Sequence, residues 1–462
     1  MDFPIFHLDW LGNRMLIAIT AIIHVLINHP MAVGAYPLLT LFEWYGWKRK
    51  DAEWDDLTHR IVFVVFVITT TLGALSGVGI WLSTSIVAPF AIGSLLRVFF
   101  WQWFTEWLVF VSEVVLIMAY YLTWNKLAVG RAKKLHIALG ATLSAFSWLT
   151  MALIVAILGF MMNSGEWAGD RGFMSAVFNP LYIPQLAFRT TFAMTTSGLF
   201  VWFCICFLAK KTAEIRAKAV RLAATWTLAW LPLCAAAAVW YWRMVPKSMR
   251  ANADVGAFTQ AFANWYSMFG VILLATVAVI LASALLGAWK PDAVPRFALL
   301  VPFVLAAYLL GHFERVREFI RKPYVIAGYM YSNGVRVTEL PVLQRDGMLP
   351  YATYASVHKV TKDNKIEAGR EVFKLACSRC HTTTGVNSVI ANFTRMYGDD
   401  PWDEEQMAGF FFGMHLTRTY MPPFPGNAPE AEALAAYLKS LQPMSKKTWM
   451  TGSVAMPSKG SR

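Results

Sequence analysis

KLACSRCHTT, residues 374–383, decides how the C-terminal part of this chain is read, because it holds the one CxxCH in 462 residues. Two thiols two residues apart, followed at once by an imidazole, put two thioether-forming sulfurs and an iron ligand within one turn of chain. That is the donor set for covalent heme attachment, with Cys377 and Cys380 as the sulfurs and His381 as the proximal ligand. The flanks agree with it. EAGREVFKLA, 367–376, has the spacing of an amphipathic helix running into Cys377. Further on, RTYMPPFPG, 418–426, offers the Met421 thioether to the other iron face from a proline-held loop, with Met414 and His415 as rival ligands. PEAEALAAYLKSLQ, 429–442, reads as a closing helix.

The rest of the chain is of another kind. Hydrophobic residues make up 57%, with 20 Trp and 32 Phe, which exceeds what a soluble chain of this length carries. Apolar runs long enough to cross a bilayer fall at 14–42, 60–82, 98–124, 135–162, 187–209, 218–242, 264–288 and 296–313. Pro30 inside the first predicts a kink. Cys204, Cys206 and Cys234 lie within such runs as small hydrophobes, so no disulfide framework is implied. The start, MDFPIFHLDWLGNR, lacks a basic n-region and a small-residue cleavage site, so the first apolar run is expected to be retained.

Orientation follows from basic residues. Lys48, Arg49, Lys50 and Arg60 lie between runs 1 and 2, Arg131, Lys133 and Lys134 between 3 and 4, and Lys210, Lys211, Arg216, Lys218 and Arg221 between 5 and 6. These loops are expected in the cytoplasm, while 83–97 and 163–186 are poor in Lys and Arg; 243–263, with Arg243, Lys247 and Arg250, is a mild exception. Both termini then lie outside, and the CxxCH is on the periplasmic side of a bacterial inner membrane, where covalent heme attachment takes place. Topology and lipid contact account for the +13 net charge, and no nucleic-acid partner is expected. The expected fold class is all-α: a polytopic transmembrane bundle of about eight helices followed by a small all-α domain. The expected boundaries are 1–340 for the membrane domain, 341–361 for a linker, 362–445 for the heme-binding domain and 446–462 for a flexible tail.

Ionisable groups inside a bilayer need a partner or a function. His24 and His29 lie in helix 1, Glu106 and Glu113 in helix 3, and His312 and Glu314 near the outer end of helix 8. Glu106 and Glu113 are seven apart and share a helix face. The topology puts His24, Glu106 and His312 at similar depth in the outer half, where either a hydrogen-bonded structural cluster or a b-type heme is expected. His24 and His312 are the iron-ligand candidates, with His29 behind them. Arg189 cannot ligate iron, since a guanidinium offers no lone pair; it is expected to pair with a propionate or a carboxylate. His59 and His136, at the cytoplasmic ends of helices 2 and 4, are expected to be solvated.

Two resemblances rest on these motifs. Residues 362–443 resemble class I cytochrome c domains. RMLIAITAIIH (14–24), TLGALSGVGIW (71–81), APFAIGSLL (88–96), ATLSAF (141–146), GFMMNSG (159–165), NPLYIPQLAFRTT (179–191) and REFIRKPY (317–324) together resemble subunit I of cytochrome bd quinol oxidases. That resemblance implies a heme ligand at His24 and functional carboxylates at Glu106 or Glu113. It departs from the family at Arg189, where the family has its low-spin heme histidine, and at Gly311, where it has a Glu ligand that His312 or Glu314 would replace. The loop 243–263 is short where the family carries its quinol-binding loop. The expected function is electron transfer between a periplasmic heme c and one or more b-type hemes, linking a periplasmic electron carrier to the quinone pool within a respiratory complex. Glu106, Glu113, Arg14 and Arg321 are the candidates for proton and quinone chemistry. The alternatives are a cytochrome c-fed terminal oxidase reducing O2 and a membrane-anchored cytochrome c without membrane redox chemistry.

Overall fold

The computed structural model describes residues 2–209, 213–258 and 263–443; Lys210, Lys211 and the tail expected over 446–462 lie outside them. Apart from the short strands Tyr324–Ile326 and Met330–Tyr331, regular structure among the described residues is helical. The chain forms two compact units. Among the described residues one lies within 17–334; the other joins 2–16 to 335–443.

Among the described residues, eight helical stretches are long and apolar enough to cross a membrane: Asn13–Arg49, Ala52–Val87, Pro89–Thr123, Gly130–Met162, Tyr182–Leu208, Ala213–Met244, Phe269–Trp289 and Arg296–Ile320. At 1.5 Å of rise per residue, about 20 residues cover the hydrocarbon core, so each has the reach and most have surplus. Their outward faces carry exposed Leu72, Leu75 and Leu82 on the second and Trp101, Phe104 and Trp107 on the third, side chains suited to lipid. The protein is a multi-pass membrane protein. The fifth span packs deepest, and small residues set its spacing: a Cβ at Gly34 would stand 2.2 Å from the Ala193 carbonyl oxygen, and one at Gly198 2.1 Å from Thr227 Oγ1.

Two spans are interrupted by π-helical turns. The first breaks at Asn28–Val33, around Pro30, before resuming as Ala35–Arg49. Pro30 has no N–H to give the preceding turn, and the wider turn accommodates that loss within the helix. The second breaks at Thr69–Gly73, where the Thr69, Thr70 and Thr71 hydroxyls donate back to Val65, Phe66 and Val67 carbonyls.

The basic loops gather at one end of this unit. Lys133 Nζ lies 2.9 Å from Asp55 Oδ1, Lys218 Nζ 3.8 Å from Asp51 Oδ2, and Arg60 Nη1 donates to the Leu208 carbonyl at 2.9 Å. Loops read as co-lateral from charge alone therefore share an end. His136, expected in solvent there, is instead fully buried. The first span continues helically to Arg49, which carries Glu43 inward beside the fourth span and gives the imidazole a carboxylate partner.

In the other unit the helices are Leu340–Asp346, Lys365–Ala376, Val389–Tyr397, Glu404–Thr417 and Ala428–Ser440. Val372, Phe373, Trp402, Phe411, Phe424 and Leu434 make its core. Helices Lys365–Ala376 and Ala428–Ser440 cross at Gly369, where a Cβ would fall 1.9 Å from the Ala433 carbonyl oxygen. The interval 341–361, expected as a linker, is folded onto this core: Met348 and Leu349 are fully buried, and their N–H groups each donate to the Glu430 carboxylate at 2.8 Å. Residues 2–16, assigned to the membrane domain from sequence, group with this unit.

Candidate functional site

The CxxCH turn begins where helix Lys365–Ala376 ends. Cys377 N–H still reaches the Phe373 carbonyl at 2.9 Å, and the chain then tightens, with Cys380 N–H and His381 N–H both donating to the Cys377 carbonyl at 3.0 and 2.9 Å. Ser378, 1% exposed, donates its hydroxyl to the Lys374 carbonyl at 2.6 Å and pins the turn from inside. Both sulfurs and the imidazole thus sit on one fixed turn.

His381 Nδ1 faces the Asn387 carbonyl at 3.3 Å, so the Nδ1–H tautomer leaves Nε2 with its lone pair. Asn387, held at φ +58°, returns its amide to the Cys380 carbonyl at 2.7 Å and closes the loop. Two partly buried thiols and an imidazole whose Nε2 carries the lone pair, all on one turn, fit covalent heme. The Met421 loop is braced by its own N–H on the Arg418 carbonyl at 2.7 Å and by His415 Nδ1 donating to the Met421 carbonyl at 2.6 Å. His415 supports the backbone that carries the methionine.

The N-terminal segment reaches the same loop. Asp9 accepts from the Thr383 N–H at 2.5 Å, from the Thr383 hydroxyl, and from the Thr384 hydroxyl at 3.1 Å. Burial works to raise the Asp9 pKa, but the Thr383 and Thr384 hydrogen bonds outweigh it and lower it to about 2. Gly385 lies so close to the Asp9 and Trp10 backbone that a Cβ would stand 2.2 Å from Asp9 O. Arg14 Nη1 comes within 3.8 Å of Cys380 Sγ.

In the unit Ile17–Gly334 the candidate residues fall into separate places. His24 Nδ1 lies 3.2 Å from Ser76 Oγ, whose own hydrogen goes to the Gly73 carbonyl at 2.9 Å, so the imidazole is the donor. That leaves a lone pair on Nε2, with the Asn28 amide 3.4 Å away, and the donor chemistry fits iron ligation. His29 Nε2 accepts from Arg189 Nη1 at 3.1 Å; Arg189 Nη2 lies 3.5 Å from Glu314 Oε1, and Arg317 holds Glu314 Oε2 at 2.8 Å. Arg189 therefore pairs with a carboxylate from the eighth span. Glu113, 5% exposed, accepts from Ser147 and Thr150 hydroxyls at 2.7 and 2.8 Å, while Glu106 one face-repeat earlier is half-buried. His312 stacks edge-on against Tyr308 at 4.3 Å, and Arg321 is bound to Glu318 at 2.6 Å.

Sequence reasoning missed the most enclosed cluster. Glu43, Lys133, His136 and Tyr120 are each 2% exposed or less. Glu43 Oε1 takes His136 Nδ1 at 2.6 Å and Lys133 Nζ at 3.0 Å, and Oε2 takes the Tyr120 hydroxyl at 2.7 Å. The signal was present: Lys133 and His136 sit three apart on one helix face, and Glu43 stands alone between Phe42 and Trp44.

Residues 364–438 match the family described as cytochrome c oxidase, cbb3-type, subunit III. No curated protein matches the chain. The matched segment covers the helices and loops around the CxxCH turn, and this part of the chain is a cytochrome c domain.

Proposed function

We propose that this protein passes electrons between a heme c held at Cys377, Cys380 and His381 and a b-type heme ligated by His24 in the membrane, coupling a periplasmic redox partner to the quinone pool. The observation that carries it is the CxxCH turn, which puts both thiols and the imidazole on one turn inside a segment matching a cytochrome oxidase subunit family. Bound heme supplies one-electron oxidation and reduction. The chain's own residues hold it: Met421 is the proposed distal ligand on a loop braced by His415, and His24 is kept in the right tautomer by Ser76. His312 is the proposed second membrane ligand. Arg189 would face a propionate only by leaving Glu314, so we assign it to the Glu314 pair; Glu106 and Glu113 remain the proton-handling candidates.

The bd-like reading of the membrane unit supports this placement of His24. An even number of candidate spans among the described residues, and the grouping of residues 2–16 with 335–443, support a reading in which the segments before the first span and after the eighth lie on one side of the membrane. The low-basic loops favour the periplasm for that side. Heme quantitation of the purified protein tests the reading. Covalent heme c plus extractable heme b, with the latter lost in His24→Ala, is expected; covalent heme alone would leave an anchored cytochrome c. Oxygen uptake from a reduced cytochrome donor, in place of quinone reduction, would assign a terminal oxidase.

A further inference from the structure

Residues 2–16 run into the first span at Asn13, yet Asp9 and Arg14 make polar contacts with the loop on either side of the CxxCH histidine. The segment is itself shaped to do this. Asn13, 1% exposed, accepts from the Leu8 N–H at 2.9 Å and donates to the Phe6 carbonyl at 2.8 Å, folding the chain back on itself. Gly12 turns it at φ +90°, a conformation an L side chain rarely adopts, beside Thr382. His7 stands edge-on to Phe373 at 6.0 Å and hydrogen-bonds Asp9 at 3.0 Å. The turn then delivers Asp9 onto Thr383 and Thr384 and Arg14 beside Cys380.

We propose that residues 2–16 form a strap belonging to the cytochrome c domain, in which Asp9 fixes the loop after His381 and Arg14 places a permanent cation at the Cys380 thioether edge, raising the reduction potential of the covalent heme. This rests on the heme c reading above. The physical reason is charge: reduction lowers the positive charge of the iron site by one, so a nearby fixed cation favours the reduced form. Arg14 serves because its guanidinium stays protonated at any working pH and its position is set by the helix start at Asn13. Arg379, inside the motif, is a second buried cation that these variants leave in place. Asp9 and Arg14 are positioning and tuning residues; neither is offered as an iron ligand.

The test is a mediated redox titration of the full-length purified protein, followed at the c-type absorption band, with heme staining of denaturing gels as a parallel readout. Arg14→Gln is expected to lower the midpoint potential while heme stays covalently bound, and Arg14→Lys to stay close to the parent. Asp9→Ala also removes an anion, which by itself favours the reduced form, so it is read through the cycle: Arg14→Gln is expected to lower the potential by less in the Asp9→Ala background than in the parent, because Arg14 acts fully only while the strap is held. Should Arg14→Gln accumulate poorly, Thr384→Ala, which weakens the clamp from its exposed side, is expected to give a smaller drop. An unchanged potential in Arg14→Gln, an equal effect of Arg14→Gln in the parent and in the Asp9→Ala background, or an equal fall in Arg14→Gln and Arg14→Lys, would overturn the proposal. Failure of the heme c reading is separate, since it removes the stained band from the parent protein itself.

Discussion

Buried Glu430 of the cytochrome c unit and buried Glu43 and Glu314 of the membrane unit are held by different means, while Glu113 in the membrane unit rests on hydroxyls. In the first, Glu430, 2% exposed, is satisfied by the backbone N–H groups of Met348 and Leu349, and Asp9 by Thr383 and Thr384. In the second, Glu43 is held by Lys133, His136 and Tyr120, and Glu314 by Arg189 and Arg317. Where the carboxylate leans on peptide groups, the donors are neutral and fixed by the chain. Where it leans on cations, losing a partner strands a charge in a medium that solvates it poorly. The two regions should therefore respond unequally to similar substitutions.

The largest effect expected is all-or-none and local. Cys377→Ala with Cys380→Ala removes covalent heme entirely, read as loss of heme stain on a denaturing gel, while the eight spans still insert; residual covalent heme would place the attachment elsewhere.

Lys133→Met comes next. Removing one partner of a buried ion pair costs about 3–5 kcal/mol, because Glu43 is left charged and buried. Thermal unfolding in detergent checks this, and Lys133→Met combined with Glu43→Gln should recover much of the loss. An additive double variant would mean that the cluster carries no coupling and would erase the contrast between the units.

Glu430→Gln should cost less, about 1–3 kcal/mol: Met348 and Leu349 N–H donate to different oxygens, so the amide accepts from one and leaves the other unpaired, but no ion is stranded. The c-domain transition should shift and the membrane unit should not. A loss as large as that for Lys133→Met would break the comparison.

The smallest effect concerns acid. Asp9 has its pKa lowered from 3.8 to about 2 in the folded protein, burial opposing and the Thr383 and Thr384 hydrogen bonds prevailing. A carboxylate with a lowered folded pKa adds stability above its unfolded value and loses it as pH falls through the folded one. The stability difference between the parent and Asp9→Asn should therefore be flat from neutral pH down to about pH 5 and shrink below pH 4, measured by acid-dependent unfolding. A difference that already changes near neutral pH would show that another group controls the strap.

The parts of the site legible in advance are those whose chemistry is contiguous. Cys377, Cys380 and His381 lie within five residues, so one helical turn fixes their relation whatever surrounds them. Met421, in its proline-held loop, was readable as a candidate ligand for the same reason, although its support from His415 was not. Pro30 announced a break in the first span, but not that the break would be a π-helical turn with His29 facing Arg189.

The sequence by itself determined eight spans, the basic end of the bundle and the heme-attachment turn, because hydropathy, loop charge and CxxCH spacing are properties of short stretches of chain. Only the tertiary structure decided that His136 is buried on Glu43, that Arg189 meets Glu314, that 341–361 folds onto Glu430 and that Asp9 holds Thr383. Each of these joins residues 81 to 374 positions apart through side-chain geometry alone. A polar residue's sequence reveals that it needs a partner; which partner is in reach depends on how the helices pack.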